Sequence, residues 1–268
     1  MNLRWQESDL IVFDIDREVA PIRIVWASAP DQVVNDIPAV GFMGDRLHRP
    51  MYVSKDIEEF TGALMTIDPS GRGGDERGYT VTKMLRGMVY LRRAGGIPGG
   101  YSETSLETIV HITRAEKVKT ILVESNFGDG MFSTLLEPVL RRIYPCTIEE
   151  VRSTGQKERR IIDTLEPVLN QHRLVVDAAL LRADQKDEPK FQLFHQLTRI
   201  TRDRGSLRHD DRLDALAMAI SYWTAWLSRD VTREEDRRME ELMEEEYRKF
   251  EEAVLGYSSP RLNFYDNY

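Results

Sequence analysis

The chain of 268 residues has a formal charge of −8, with 41% hydrophobic and 31% charged residues. This composition is typical of a folded globular protein of one or two domains and excludes a disordered chain. No apolar run reaches the roughly 20 residues that a membrane helix needs, and residues 1–10 lack the basic start and apolar stretch of a signal peptide. The single cysteine, Cys146, excludes an internal disulfide framework and is typical of a reducing cytoplasm.

The negative charge is concentrated in residues 229–268. This segment contains twelve Asp/Glu and seven Arg/Lys, a net charge of −5, so the rest of the chain carries only −3. Arginine outnumbers lysine by 29 to 8, and the planar guanidinium group suits phosphate better than an ammonium group does. An acidic chain is atypical of nucleic-acid-binding proteins, but this distribution leaves such a partner open for residues 1–228.

The apolar pattern divides the chain into three parts. Residues 1–60 carry short β-type runs separated by prolines, which predicts a lead-in or linker segment. Residues 61–228 alternate between strand and helix patterns, which predicts an α/β domain with a mixed sheet and helices on its faces. Residues 229–268 predict a charged helix at Thr232–Val254, followed by an aromatic tail.

The middle part supplies eleven predicted elements, whose pattern is three strands followed by helices alternating with strands. The predicted strands are Ala63–Ile67, Tyr79–Leu85, Met88–Arg92, Thr120–Val123, Cys146–Val151 and Leu174–Val176. The predicted helices are Ser102–Val118, Gly130–Ile143, Lys157–His172, Phe191–Arg202 and Asp210–Leu227. The fourth strand is continuously apolar, which is typical of a buried central strand.

Acidic residues follow two of these strands and begin the last helix. Asp68 and Glu124 come directly after buried strands, at the edge where α/β sheets place their ligands. Asp210, Asp211 and Asp214 share one face of the helix start. A turn before proline accounts for Asp68 on structural grounds, and a helix cap accounts for Asp210. Three carboxylates on one helical face repel one another without a cation, which favours a metal site.

Oxygen ligands without accompanying His or Cys favour Mg²⁺ or Mn²⁺ over zinc. Two such ions about 4 Å apart are suited to hydrolysis of a phosphodiester by in-line attack. The glycine-rich loop at residues 71–78 does not match G-x-x-x-x-G-K-[ST], so it is not a nucleoside-triphosphate cradle of the P-loop type. The sequence therefore predicts a two-metal site formed by acidic residues.

Three separated motifs, in this order, resemble the C-terminal nuclease domain of the bacteriophage large terminase subunit, of the short-tailed phage type. The motifs are IDPSGRGGDERGYTV (Ile67–Val81), VESNFGDGMF (Val123–Phe132) and HDDRLDALA (His209–Ala217). The segment Lys157–Leu169 and the residues leading to Asp68 share the resemblance, so it extends over nearly everything before residue 229.

This resemblance implies an RNase H-like fold and a metal-dependent endonuclease that cuts concatemeric viral double-stranded DNA during genome packaging. It implies that Asp68, Glu124 and Asp211 are catalytic and bind two Mg²⁺ or Mn²⁺ ions, with Asp68 contacting both. Asp210 or Asp214 could supply or share the third ligand.

The family also implies partners: double-stranded DNA, the terminase ATPase domain, the small terminase subunit and the portal protein, in the host cytoplasm and without a membrane. The ATPase motor has no counterpart in the sequence, so residues 1–60 are expected to be the linker between motor and nuclease. For the acidic tail, docking to the portal is a hypothesis based on its position.

Basic residues near the motifs are candidates for contacts with DNA phosphates, the alternative being a solvated helix face. They are Arg72, Arg77, Arg152, Lys157, Arg159, Arg160 and Arg212. Two other functions remain open: an RNase H-like nuclease of the resolvase or integrase type, and a non-catalytic module that docks to DNA or to the portal.

Overall fold

The structure is a computed structural model that describes residues 5–69, 76–98, 100–125, 130–228 and 243. The chain forms two compact units, residues 1–223 and residues 224–268. The helix predicted at Thr232–Val254 and the aromatic tail lie outside the described residues, apart from Met243. The predicted division at residues 60 and 228 stays a prediction. No helix within the described ranges is long and apolar enough to cross a membrane.

Eleven strands and six helices are defined in these ranges. The strands are β1 (Ile11–Phe13), β2 (Val19–Pro21), β3 (Ile24–Val25), β4 (Tyr52–Val53), β5 (Ile57–Glu59), β6 (Gly62–Asp68), β7 (Arg77–Leu85), β8 (Met88–Ile97), β9 (Thr120–Glu124), β10 (Thr147–Val151) and β11 (Leu174–Asp177). The helices are α1 (Glu103–Ala115), α2 (Met131–Ile143), α3 (Lys157–Asn170), α4 (Ala178–Asp184), α5 (Leu193–Arg199) and α6, residues 211–228.

A mixed sheet of seven strands lies at the centre of the first unit, in the order β1-β11-β8-β7-β6-β9-β10. β6, β7 and β8 are antiparallel neighbours, whereas the strands outside them join in parallel. The mixed α/β sheet predicted from the sequence is confirmed. Two small antiparallel ribbons, β2–β5 and β3–β4, lie outside this sheet.

The hairpin between β7 and β8 shows how local sequence fixes the register. Arg86 and Gly87 both have positive φ, 48° and 77°, and they separate Leu85 from its partner Met88. Two consecutive residues with positive φ match the right-handed twist of the flanking strands, which is why such two-residue turns close hairpins. The turn therefore sets the pairing of β7 with β8 from Leu85 to Thr82, beyond which a register shift between Thr82 and Val81 changes it.

The two faces of the sheet are covered differently. On one face Met65 and Val81 belong to an apolar cluster that includes buried residues of α1 and α2. On the other face buried threonines bind α6: the Thr66 hydroxyl donates to the Ala215 carbonyl at 2.7 Å, and the Trp223 indole N–H donates to Thr82 at 2.9 Å. Since buried polar groups need partners, these threonines fix α6 on this face.

The lead-in contributes a strand to the main sheet, which the sequence did not predict. β1 pairs in parallel with β11. Lys83 donates to the Arg17 carbonyl, and Arg92 Nη1 donates to the Ile15 carbonyl at 2.5 Å. Both cations also pair with the fully buried Glu116. The segment before β6 is thus packed against the sheet by charged groups of β7 and β8.

Candidate metal site

Two adjacent parallel strands place Asp68 and Glu124 at one edge of the sheet. β6 pairs in parallel with β9, with Ile67 opposite Val123, so the two acids follow at matching positions at the carboxyl ends of their strands. Matching positions on neighbouring strands face the same side of the sheet. Asp68 is fully buried and Glu124 nearly so.

The first turn of α6 supplies a third carboxylate, Asp214. It is fully buried, and its backbone N–H donates to the Asp210 carbonyl at 2.8 Å, within the first turn of the helix. One carboxylate oxygen from each of Asp68, Glu124 and Asp214 lies within 4.8 Å of the other two. We refer to these three residues as the acidic triad.

Lys157, the first residue of α3, lies among these acids. Its Nζ is 2.8 Å from Asp210 Oδ1, 3.2 Å from Asp214 Oδ2 and 3.4 Å from Asp68 Oδ2. The lysine side chain is 33% exposed, whereas those of Asp68 and Asp214 are 0% exposed. Lys157 therefore lies on the solvent side of the acidic triad.

Arg160, one turn further along α3, pairs with the helix-borne acid. Its Nη1 and Nη2 lie 2.9 and 3.0 Å from the two oxygens of Asp214, and Nη2 lies 3.7 Å from Glu124 Oε1. The spacing of three residues puts Lys157 and Arg160 on the same face of α3. Both cations therefore neutralise part of the charge of the acidic triad.

Burial and mutual repulsion shift the protonation of these groups. Burial raises the pKa of Asp214 despite the opposing effect of Lys157 and Arg160. Burial also raises the pKa of Glu124, and Asp214 and Asp68 add to this rise. Burial alone would lower the pKa of Lys157, but the carboxylates around it raise that pKa above its usual value. The lysine is therefore a permanent cation at neutral pH.

The donor set fits a hard divalent cation. Four carboxylates, those of the acidic triad and of Asp210, face two cationic side chains, which leaves an excess of two negative charges. Asp214 Oδ1 is buried and accepts no hydrogen bond, although Arg160 Nη1 lies 2.9 Å away as an ion pair. Carboxylate-only sites of this kind suit Mg²⁺ or Mn²⁺.

The structure distinguishes among the three aspartates at the start of α6. Asp214 joins Asp68 and Glu124, and Asp210 contacts Lys157. Asp211 is not a member of the acidic triad; its main chain lies over Gly78 of β7. The sequence alone could not separate Asp211 from Asp214, because both lie on one helical face and the choice depends on how α6 packs on the sheet. The role predicted for Asp211 stays a prediction.

The candidate DNA contacts occupy different environments. Arg152 and Arg159 are exposed. Arg77 is buried against two aromatic rings. Its Cζ lies 5.0 Å from the ring centroid of Tyr101 and 5.5 Å from that of Phe132.

Lys157 and Arg160, two further candidates, face the acidic triad as described above. Arg212 is buried among carboxylates, and Arg72 lies outside the described residues.

Comparison with known proteins gives several matches. Residues 67–174 match the family model described as "Terminase Bacteriophage T7, Ribonuclease H-like domain". A large terminase subunit of Enterobacteria phage T3 is 40% identical over 245 residues, which cover 88% of this chain and 42% of that protein. The chain therefore spans less than half the length of this relative.

Two solved structures are similar at 12% identity and a TM-score of 0.46. One is the human cytomegalovirus terminase nuclease domain, Mn soaked and inhibitor bound, with 61% of this chain and 82% of that chain covered. The other is the large terminase nuclease from thermophilic phage G20c, with 82% of this chain and 98% of that chain covered. The resemblance to terminase nuclease domains that the sequence motifs predicted is confirmed by the family model and by the phage T3 relative.

Proposed function

We propose that this chain, whose residues 67–174 match a terminase RNase H-like family model, is a divalent-metal-dependent endonuclease that cuts concatemeric viral double-stranded DNA during genome packaging. The observation that carries this proposal is the acidic triad, three buried carboxylates from β6, β9 and α6 with ligand oxygens within 4.8 Å. Buried carboxylates with an excess of negative charge are costly unless a cation compensates them. The free-energy cost of burying these carboxylates supports a functional role for their negative charge, such as the binding of a metal ion.

The acidic triad would hold the metal, with Mg²⁺ or Mn²⁺ as the ion. When bound, two such ions would stabilise the charge that develops on the phosphate and provide the nucleophile for in-line hydrolysis. The chain itself supplies rigidity: Asp68 and Glu124 are fixed by strand pairing, and Asp214 is held by both nitrogens of the Arg160 guanidinium. Such fixed carboxylates require little rearrangement when a cation binds.

Lys157 would act at the entrance of the site. Because its side chain is one-third exposed and the acids behind it are buried, a phosphate group of DNA would approach from the lysine side. Arg152 and Arg159 are exposed and are close to Lys157 in sequence. Arg152 precedes α3, and Arg159 lies in its first turn. They are the described residues best suited to hold neighbouring phosphates, through contacts that carry no sequence preference.

The wider role follows from the relative in phage T3, a large terminase subunit. We propose the host cytoplasm during virus assembly as the site of action, and a terminase ATPase domain, a small terminase subunit and a portal protein as partners.

Cleavage of supercoiled plasmid in Mg²⁺, Mn²⁺ or EDTA tests the proposal. The wild-type chain should nick and linearise plasmid with metal and not with EDTA, and Asp68→Asn and Asp214→Asn should abolish cutting while remaining folded. Asp211→Asn is the matched comparison from the same helix turn, and it should retain more activity than Asp214→Asn. Retained metal-dependent cutting by Asp68→Asn would refute the assignment.

The plasmid assay tests one alternative function, and a strand-transfer assay tests the other. A non-catalytic docking module would leave plasmid intact in every buffer, with no effect of acid-to-amide changes. A resolvase- or integrase-type enzyme would join a defined donor end to target DNA in a strand-transfer assay, whereas a terminase nuclease should only hydrolyse.

A further inference from the structure

Two paired glycines leave a part of the sheet without side chains, on the face that packs against α6. Gly78 of β7 is opposite Gly96 of β8, and Gly78 is also opposite Asp68 of β6. A side chain at Gly78 would overlap the carbonyl group of Asp211, and one at Gly96 would overlap the carboxylate of Glu76. The absence of side chains therefore lets the start of α6 and Glu76 lie directly against the strands.

Arg212, the second residue of α6, connects these two groups. Its side chain is 4% exposed, and its Nε and Nη2 lie 2.6 and 3.0 Å from the two oxygens of Glu76. Nη1 lies 2.7 Å from Asp187 Oδ2 and 3.3 Å from Asp184 Oδ1. The two-point pairing with Glu76 fixes the orientation of the guanidinium as well as its position. We call Arg212, Glu76, Asp184 and Asp187 the arginine clamp.

Arg212, the centre of the arginine clamp, lies two residues before Asp214 on the same helix. Because Gly78 is opposite Asp68 in the sheet, a helix start that lies against Gly78 brings Asp214, in the first turn of α6, alongside Asp68. The ion pair of Arg212 with Glu76, the residue before β7, holds the first turn of α6 at this place. A shift or rotation of the first turn would move the carboxylate of Asp214 away from Asp68 and Glu124.

We propose that Arg212 is a positioning residue: through the arginine clamp it fixes the first turn of α6 over Gly78, so that Asp214 completes the acidic triad. This inference rests on the proposed function, since it treats Asp214 as a metal ligand. It replaces a direct contact of Arg212 with DNA, because the guanidinium is buried and faces three carboxylates of the chain itself.

The two roles of Arg212 predict different kinetics. Loss of a phosphate contact raises the KM for DNA, reduces the salt dependence of binding and leaves the metal requirement unchanged. Loss of a positioning residue lowers kcat at saturating DNA and raises the Mn²⁺ concentration needed for half-maximal activity. High Mn²⁺ should then restore part of the lost kcat.

The test measures Mn²⁺ binding by titration calorimetry and plasmid cleavage for the full chain. Arg212→Gln and Glu76→Gln should each weaken Mn²⁺ binding by about 10- to 100-fold, the usual effect of losing a group that orients a ligand. The double variant should bind no more weakly than the weaker single variant. Arg114→Gln, at an exposed position of α1 on the opposite face of the sheet, should bind as the wild type does.

Each result supports or overturns the proposal. Wild-type Mn²⁺ affinity in folded Arg212→Gln, or a rise in KM alone, overturns it. If Arg212→Gln does not fold, Glu76→Gln decides, because it keeps the size of the side chain, and wild-type affinity in that variant overturns the proposal. A wild-type chain that binds no Mn²⁺ overturns the proposed function as well, whereas wild-type binding with unaffected variants overturns this inference alone.

Discussion

Replacing Lys157 with methionine keeps the length of the side chain and removes its charge from among Asp68, Asp210 and Asp214. Its Nζ lies 2.8–3.4 Å from oxygens of these three acids. Removing one partner from a buried ion pair costs about 3–5 kcal/mol, and the one-third exposure of Lys157 favours the lower figure. A loss of about 3 kcal/mol in a unit of this size lowers Tm by roughly 6–12 °C.

The same change should strengthen metal binding, because Mn²⁺ no longer competes with an ammonium group for Asp68 and Asp214. Mn²⁺ at about 100 times its Kd adds about 2.7 kcal/mol to the free energy of unfolding. This gain would offset most of the stability that the substitution removes. Mn²⁺ should therefore raise the Tm of Lys157→Met more than that of the wild type.

Thermal unfolding followed by circular dichroism, in EDTA and in Mn²⁺, measures both effects. Lys119→Met, at an exposed position before β9, is the control and should stay within about 0.5 kcal/mol of the wild type. Equal Tm values for Lys157→Met and the wild type in EDTA would refute the predicted loss of stability. An equal rise in Tm of both proteins with Mn²⁺ would refute the predicted competition between Lys157 and the metal ion.

Three further predictions concern buried polar groups away from the acidic triad. Glu116→Gln removes the fully buried negative charge that pairs with Lys83, Arg92 and Arg93, of which Arg92 keeps another carboxylate partner, Asp177. The change should lower the free energy of unfolding measured in urea by about 3–5 kcal/mol. Burial raises the pKa of Glu7 to about 7 from 4.5, so the folded state holds an extra proton between these values and stability should fall as pH rises from 4.5 to 7. Glu7→Gln should remove this fall in the free energy of unfolding, which amounts to up to about 3 kcal/mol. An unchanged dependence of stability on pH in Glu7→Gln would contradict the prediction. Trp223→Phe removes the hydrogen bond to Thr82 and should cost about 1–3 kcal/mol in the same assay; Thr82→Val in that background should cost little more.

The sequence predicted six of the seven strands of the main sheet, because their signals are local, but not that β1 joins the sheet. The apolar run before Glu124 and the tight turn at Arg86 and Gly87 reflect properties of neighbouring residues, so the positions of these strands along the chain could be derived from them. Helix α4 was missed: it begins directly after β11, and Asp177 caps it through the Ala179 N–H. No turn residues separate the two elements, so the pattern read as a strand followed by a loop.

The site was only partly predictable, because much of it depends on contacts between residues distant in sequence. Asp68 and Glu124 could be recognised from their positions at strand ends. Lys157 was predicted only as a candidate contact for DNA phosphates, since nothing near it in sequence shows that α3 packs beside α6. The arginine clamp gave no signal either, because Glu76 and Arg212 are separated by more than a hundred residues and meet only over the paired glycines.

The most direct test of the account is the position of Mn²⁺ in a crystal of the chain, located by its anomalous scattering. We expect Mn²⁺ peaks among Asp68, Glu124 and Asp214, with carboxylate oxygens about 2.1 Å from the ion, and the loss of at least one peak in Asp214→Asn. Peaks coordinated by Asp211 in place of Asp214, or none near Asp68, would contradict this expectation.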